Sequence, residues 1–248
     1  MKILVCISHV PDTTSKISFV SDGSSLDKNG VQFVINPYDE FGLTKGLHLR
    51  EKHGGTVSVL TLGDESVEPT LRKALAIGAD EAHRLNGVPH DGAQTSEEIA
   101  AFIKRNEFDV IICGQESIDY NGGVVPGALA AKLDLPFVNA CISLDIDGNN
   151  VKTIREIDGG KETAKAKLPI VIAGKKGLVE EHDLRIPNMR GIMTARSKPL
   201  SVHELIESKT LAQSVSFSKP PEKKEVKMIS PDNLEELVRL LNEESKVI

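Results

Sequence analysis

The residues best suited to chemistry lie in a glycine-rich loop, residues 114–127, which reads GQESIDYNGGVVPG. The loop joins the end of a predicted strand to the start of a predicted helix. In an open parallel sheet, ligands bind beyond the carboxyl ends of the strands. The first N–H groups of a helix attract anions, and glycine lets a phosphate approach them closely. The pattern predicts a phosphate-binding site at residues 121–125, although such a loop is also typical of a simple connection.

Two other kinds of nucleotide-binding site are disfavoured because their sequence motifs are missing. The chain contains neither a G-x-x-x-x-G-K-[ST] pattern nor a G-x-G-x-x-G pattern. The first pattern is typical of nucleoside triphosphatases that use a lysine, and the second is typical of Rossmann dinucleotide sites. An anion bound here would therefore be held mainly by main-chain donors.

The remaining polar residues form no recognisable catalytic or metal-binding group. The seven histidines show no metal-ligand spacing, and no nucleophile, histidine and acid can be assigned to one constellation. Cys6, Cys113 and Cys141 are widely spaced within apolar runs, which predicts buried free thiols in a reducing cytoplasm. We therefore expect a cytoplasmic binding protein without catalytic residues and without a metal.

Composition excludes two further classes of protein. The formal net charge is −6, no basic stripe is present, and aromatic residues make up only 4% of the chain, which argues against nucleic-acid binding. No run of about 18 apolar residues occurs, so no membrane span is expected. The first residues, MKILVCISHV, lack a cleavage site and are interpreted as a strand, not a signal peptide.

Apolar runs alternate with helical patterns along most of the chain. Continuous apolar segments predict buried parallel strands at residues 2–8, 56–62, 108–113 and 168–173, and a short strand is predicted at residues 81–85. Between them, helices are predicted at residues 37–53, 66–77, from Thr95 onward, and 124–133. This alternation predicts an α/β fold with a doubly wound, mostly parallel sheet and helices on both faces.

The end of the chain has a different character. A short helix is predicted at residues 202–208, and the proline- and lysine-rich residues 214–227 are interpreted as an extended linker or arm. Residues 230–232 are expected to cap a last amphipathic helix that carries Leu234, Leu237 and Val238 on one face. That helix must dock either on its own domain or on a partner.

A hairpin is predicted within residues 154–173. The tripeptide Asp158-Gly159-Gly160 predicts a tight turn, because glycine readily adopts the positive φ that such a turn needs. Taken alone, the pattern is typical of an ordinary surface hairpin. The residue types and their spacing also resemble the signature of the beta subunits of electron transfer flavoproteins. The residues that match this signature are Arg155, Asp158-Gly159-Gly160, Glu162 and Pro169.

Other motifs in the same order strengthen the resemblance, which extends from residue 2 to about residue 200. They are Val10-Pro11-Asp12-Thr13, Asn36-Pro37 before a helix, Ile118-Asp119 in the glycine-rich loop, and the run from Arg185 to Ala195. The resemblance implies a nucleotide-binding α/β domain, residues 1–200. It also implies a C-terminal extension, residues 201–248, that contacts an alpha subunit.

The resemblance further implies that the chain is an electron-carrier subunit and not a self-sufficient enzyme. Redox-active FAD would be held mainly by the alpha subunit, and structural AMP would be bound by this chain. The implied AMP contacts are Cys6, Asn36, Pro37, Tyr38, Asp39, Leu62, Asp119, Tyr120, Asn121, Gly122, Gly123, Val124 and Val125. Thr13 and Tyr38 would lie near the alpha-subunit FAD, although many relatives carry an aromatic residue at the position of Thr13.

The segment 176–198 corresponds to the family's recognition loop, which docks onto acyl-CoA dehydrogenases, flavoenzymes of fatty acid oxidation. Met189 matches the position of the apolar anchor. Arg185, Ile192 and Met193 are the other expected docking residues. The alternative is that Met189 packs on its own domain, as methionine often does.

Two departures from the family pattern leave alternatives open. Ala164 replaces a branched aliphatic residue of the signature, and the phosphate loop lacks the threonine or glutamine of many relatives. One alternative is a bifurcating beta subunit that binds a second FAD in place of AMP. Another is a stand-alone ATP- or AMP-binding protein of the stress-protein or ATP-pyrophosphatase type, but residues 8–12 supply no phosphate loop for it.

Overall fold

Continuous apolar runs become the inner strands of one large sheet in the computed structural model, which describes residues 1–222 and 226–248. The strands of the described chain are β1 (Lys2–Cys6), β2 (His9–Pro11), β3 (Phe33–Ile35), β4 (Thr56–Gly63), β5 (Glu81–Asn86), β6 (Val110–Gly114), β7 (Phe137–Asp147), β8 (Asn150–Ile157), β9 (Gly160–Lys167), β10 (Ile170–Gly174) and β11 (Leu200–Glu204). The α-helices are α1 (Pro37–His53), α2 (Glu68–Ile77), α3 (Gly92–Lys104), α4 (Val124–Leu133), α5 (Met189–Ala195) and α6 (Leu234–Arg239).

The main sheet has nine strands in the order β11-β5-β4-β1-β6-β10-β7-β8-β9. Every neighbouring pair from β11 to β7 is parallel, whereas β8 and β9 continue the sheet as an antiparallel hairpin. The strands β2 and β3 form a separate antiparallel ribbon. The predicted fold class, a mostly parallel α/β sheet, is confirmed.

Helices cover both faces because alternate residues of each strand point to opposite sides. Val5 of β1 belongs to the apolar cluster that includes side chains of α1, α2 and α5. Leu4 belongs to the other cluster, which includes side chains of α3 and α4. Strands buried on both faces need apolar residues throughout, which explains the continuous apolar runs.

The order of the strands reverses at the centre of the sheet. From β1 the chain moves outward to β4 and β5, and it then returns to form β6 on the other side of β1. The helix after β1 and the helix after β6 therefore lie on opposite faces. The point of reversal lies beyond the carboxyl ends of β1 and β6, where doubly wound proteins bind their ligands, and we call this place the central crevice.

The predicted hairpin is confirmed. Ile157 pairs with Gly160 across the two-residue turn Asp158-Gly159, and Gly159 has a φ of 82°. The outer strand β9 ends the sheet and carries three exposed lysines, Lys161, Lys165 and Lys167, together with the exposed Glu162.

Two helix predictions are wrong in ways that the contacts explain. Residues 202–208 do not form a helix, because residues 200–204 form β11, which pairs with the edge of β5. The helix predicted from Thr95 begins at Gly92, because Asp91 is its N-cap and accepts a hydrogen bond from Gln94 N at 2.7 Å. Val202 and the apolar residues that follow it are spaced as in an amphipathic helix, although this segment begins as an edge strand.

The C-terminal part continues beyond β11 without further strands in its described residues. The predicted division between residues 200 and 201 falls inside β11 (Leu200–Glu204), which belongs to the main sheet, and it stays a prediction. Of the predicted linker, residues 223–225 lie outside the described residues. The last helix, α6, is capped by Asn233 and not by residues 230–232. None of the described helices combines the length and apolarity needed to cross a membrane.

Candidate functional site

The central crevice gathers most of the residues that the sequence assigns to nucleotide binding. Cys6 ends β1, Leu62 lies near the end of β4, and Gly114 ends β6. Asn36 precedes the first turn of α1, and residues 119–125 lead into α4. Parallel strands bring their carboxyl ends to one edge, so residues far apart in the sequence share this edge.

Asn36 connects the start of α1 to both loops of the crevice. Its backbone N–H donates to Ser8 O at 3.0 Å, and its side-chain Nδ2 donates to Glu116 O at 2.9 Å. Its Oδ1 accepts a weaker bond from Ile118 N at 3.3 Å. Asn36 is buried, and these bonds fix the path of the loop that follows β6.

Asp39 ties together the two strand ends that border the crevice. Its Oδ2 accepts a hydrogen bond from Ser8 N at 2.7 Å, and its Oδ1 accepts one from Gly114 N at 2.8 Å. Burial raises the pKa of this carboxyl to about 7, even though the hydrogen bonds act in the opposite direction. Sequence analysis assigned Asn36 and Asp39 to adenosine. In the structure their side chains bond the chain's own backbone and build the crevice.

Gly114 is a site residue that the sequence-based assignment missed. A Cβ at this position would lie 2.3 Å from Asp39 Oδ1 and 2.8 Å from Tyr38 Cβ. Only glycine lets β6 approach the first turn of α1 so closely. A glycine that follows an apolar strand was the one available signal, and it did not reveal which element approaches it.

The glycine-rich loop offers fewer main-chain donors than the sequence suggested. Ser117 and Gly122 pair through two backbone hydrogen bonds of 3.1 and 3.2 Å, so the N–H of Gly122 is already used. Gly123 is the N-cap of α4 and has no side chain to cap it. The N–H groups of Gly123, Val124 and Val125 have no acceptor within residues 1–222 and 226–248.

These donors face an accessible surface. A Cβ on Gly122 would meet no atom within 4 Å, and the side chains of Tyr120 and Val124 are 70% and 63% exposed. Asn121 adopts a φ of 49°, which turns the chain toward α4. A helix start with free N–H groups, no side-chain cap and open space in front of it fits an anionic group such as phosphate.

The floor and the rim of the crevice are formed by less polar groups. Extending the register between β1 and β6 places Cys6 beside Cys113. A hydrogen bond with Cys6, together with burial, raises the pKa of Cys113, so the Cys113 thiol stays neutral. At the rim, burial and the neighbouring Glu116 raise the pKa of Tyr38. Thr13 lies in the exposed turn after β2.

The predicted docking segment forms a second surface. Helix α5 begins after Asn188, whose Oδ1 accepts a hydrogen bond from Gly191 N at 2.7 Å. Met189 and Met193 are 76% and 72% exposed, so Met189 does not fill the core of its own domain. Ile192 is also exposed, and Arg185 bonds Glu51 at 3.0 Å.

Rigid contacts hold this surface in place. A Cβ on Gly191 would lie 2.2 Å from Ala76 O, so α5 rests directly on the backbone at the end of α2. Arg72 Nη1 donates to both Ala195 O and Lys198 O at 2.8 Å. The methionines are therefore presented to solvent from a fixed helix.

No group of three or more His, Cys, Asp or Glu side chains suited to a metal ion occurs in the part of the chain that the structure describes. The site is thus composed of main-chain donors, two buried thiols and one buried carboxyl. The main-chain donors at the start of α4 are suited to an anionic group such as phosphate.

Comparison with known proteins points to one family. The family model described as the electron transfer flavoprotein domain matches residues 24–208. The electron transfer flavoprotein subunit beta of Bacillus subtilis (strain 168) is 34% identical over 262 aligned positions, covering 100% of both chains. The protein of the same name from Thermoanaerobacterium thermosaccharolyticum is 33% identical, covering 80% of this chain and 76% of its own. That from Mycobacterium tuberculosis (strain ATCC 25618 / H37Rv) is 34% identical, covering 83% and 79%.

Proposed function

The chain belongs to the electron transfer flavoprotein family as a beta subunit, and we propose that it binds structural AMP while an alpha subunit holds the redox-active FAD. The resulting heterodimer would carry electrons in the cytoplasm from acyl-CoA dehydrogenase-type flavoenzymes to an acceptor. The beta chain acts as an electron-carrier subunit, with no catalytic residues of its own.

The observation that carries the nucleotide proposal is the set of free N–H groups at the start of α4, beside the central crevice. Gly123, Val124 and Val125 would donate to the phosphate, whose negative charge is favoured at a helix N-terminus. Cys6 and Leu62 would line the pocket for the adenine, and Asn36 and Asp39 would hold its walls. Asp119, Tyr120, Asn121 and Gly122 would shape the entrance.

FAD supplies the electron-transfer chemistry when the alpha subunit holds it. This chain would contribute Tyr38 and Thr13 at the edge that faces the partner. The Tyr38 side chain is only partly buried, so an aromatic face is available to pack against a neighbouring ring. The pKa of its hydroxyl is raised, which keeps the ring uncharged near neutral pH.

The nucleotide proposal is tested on the heterodimer. We expect co-purification with the alpha subunit to yield a yellow complex, and acid release followed by mass spectrometry to yield one FAD and one AMP per heterodimer. Two FAD molecules would instead indicate a bifurcating subunit. A complex with FAD but no second nucleotide would contradict the use of the α4 amides.

A stand-alone nucleotide hydrolase is less well supported. Enzymes of that kind need a phosphate loop after the first strand, whereas here His9–Pro11 forms strand β2 and pairs with β3. ATP hydrolysis or adenylation by the isolated chain would contradict our proposal.

Docking through Met189 gives a second test. We expect Met189→Ala to reduce kcat/KM for reduction of the heterodimer by an acyl-CoA dehydrogenase by about tenfold or more, because anchor side chains dominate binding. The free energy of unfolding should change by less than about 0.5 kcal/mol, since the side chain is exposed.

The matched control is Val88→Ala, which removes an exposed apolar side chain far from α5 in the sequence. This variant should leave kcat/KM unchanged. Equal losses in the two variants, or none in Met189→Ala, would remove Met189 from the docking surface.

A further inference from the structure

Glu98 of α3 has a buried side chain, and both of its oxygens accept hydrogen bonds from the C-terminal part of the chain. The residue as a whole is only 2% exposed to solvent. Its Oε2 accepts a hydrogen bond from Ile206 N at 2.8 Å, and its Oε1 accepts one from Ser208 N at 2.7 Å. Backbone donors thus compensate this carboxylate for its loss of water.

The residue between these two donors has an unusual backbone. Glu207 adopts a φ of 58°, in the left-handed region that side chains with a Cβ disfavour. This turn brings the N–H groups of residues 206 and 208 to the same carboxylate. The chain therefore accepts local strain in order to present two donors to Glu98.

Asp91 holds the same segment a few residues further on. Its Oδ1 caps α3 through Gln94 N, whereas its Oδ2 accepts hydrogen bonds from Leu211 N and Ala212 N, both at 2.6 Å. Bonds from Gln94 and Ala212 hold the pKa of this carboxyl below its usual value, so it is ionised near neutral pH. Asp91 and Glu98 are seven residues apart and lie on one face of α3.

Apolar burial does not hold this segment in place. Leu211 is 74% exposed and Val215 is 88% exposed. Further along, Phe217 stacks on Phe19 with ring centroids 5.5 Å apart, and Phe217 N donates to Gly23 O at 2.8 Å. The segment therefore runs from α3 to the turn that includes Gly23.

We propose that Asp91 and Glu98 form a carboxylate clamp that fastens residues 206–212 as a strap, fixing where the C-terminal arm leaves the α/β domain. The clamp recognises backbone N–H groups and so depends little on the side chains of the strap. A fastened arm is pre-organised for a partner, which lowers the entropy lost on docking. The clamp is intramolecular and does not depend on the proposed nucleotide or dehydrogenase.

The two variants that test the clamp are Asp91→Asn and Glu98→Gln. Asparagine keeps an oxygen for the N-cap of α3 but turns an NH₂ group toward Leu211 and Ala212. Glutamine likewise leaves one of the two donors on residues 206 and 208 without an acceptor. The matched control is Glu97→Gln, which changes the neighbouring carboxylate that bonds Lys132 outside the clamp.

Trypsin provides the readout, because Lys209 lies between the two attachment points and Lys227 lies beyond them. In the full-length chain, we expect cleavage after Lys209 to be slow relative to cleavage after Lys227. In each clamp variant the relative rate should rise about tenfold, as expected when a hydrogen bond to a charged group is lost. Hydrogen exchange at the amides of residues 206, 208, 211 and 212 should accelerate similarly.

Glu97→Gln should leave both readouts unchanged. Wild-type cleavage after Lys209 as fast as after Lys227 would show that the strap is not fastened. Variants with unchanged rates, or with exchange accelerated throughout α3, would also overturn the proposal, because the carboxylates would then be dispensable or merely structural.

Discussion

Lowering the pH from 8 to 5 is expected to stabilise the wild-type chain relative to Asp39→Asn by roughly 2–3 kcal/mol in free energy of unfolding. The cause is the pKa of Asp39, which burial raises to about 7 in the folded chain. Asparagine fills the same space and does not titrate, so the difference between the two proteins isolates this one carboxyl.

The direction follows from proton linkage. The raised pKa means that the folded chain binds a proton more tightly than the unfolded chain does. The stability that the proton provides is complete below the unfolded value, near 4, and is lost as the pH rises through about 7. The stability difference should therefore fall steeply between pH 5 and 7 and level off above pH 8.

Urea unfolding at several pH values measures this difference. The control is Glu40→Gln, in the same first turn of α1, where Glu40 is only partly buried and pairs with Lys73 at 3.0 Å. Its pH dependence should parallel that of the wild type. A wild-type advantage that grows as the pH rises would mean that the hydrogen bonds from Ser8 and Gly114 outweigh burial, contrary to our expectation.

Gly114→Ala is expected to have a comparable effect and to act directly on the site. The added Cβ would lie 2.3 Å from Asp39 Oδ1 and 3.0 Å from Asn36 Nδ2, so both side chains would have to move. Overpacking of this kind lowers the free energy of unfolding by about 1–3 kcal/mol. Since Asn36 positions the loop before α4, we also expect the heterodimer to lose most of its bound nucleotide.

The matched control is Gly160→Ala at the start of β9, outside the site, where a Cβ would meet no atom within 4 Å. Unfolding in urea and nucleotide content per heterodimer are measured for both variants. Gly160→Ala should resemble the wild type in both measurements. Normal stability and nucleotide content in Gly114→Ala would show that the close approach of β6 and α1 does not constrain the site.

Sequence reasoning predicted the parts of the fold whose causes are local. The apolar runs identified the inner strands, because a strand that is buried on both faces needs apolar residues at nearly every position. Asp158-Gly159 identified the hairpin for a similar reason, since a two-residue turn requires positive φ. Val202 was misassigned because an apolar spacing of three and four fits a helix as well as an edge strand.

The sequence predicted the loop between β6 and α4 that forms part of the candidate site, but not the contacts around it. The loop before α4 was found because glycine next to a helix start has a physical meaning. The role of Asp39 was not predictable, because its acceptors meet backbone groups 31 and 75 residues away in the sequence. The role of Glu98 in the clamp was not predictable for the same reason. Its burial depends on a segment more than 100 residues later.

The lysines along β9 have a consequence for the chain before it meets a partner. An open sheet edge can recruit strands from other copies, and regularly spaced positive charges make that addition unfavourable. Lys161, Lys165 and Lys167 lie along this edge, and its one acidic residue, Glu162, pairs with Arg155, so two such edges would repel each other. We expect the newly made subunit to remain monodisperse at low ionic strength while it awaits assembly, and to begin self-associating if these charges are neutralised.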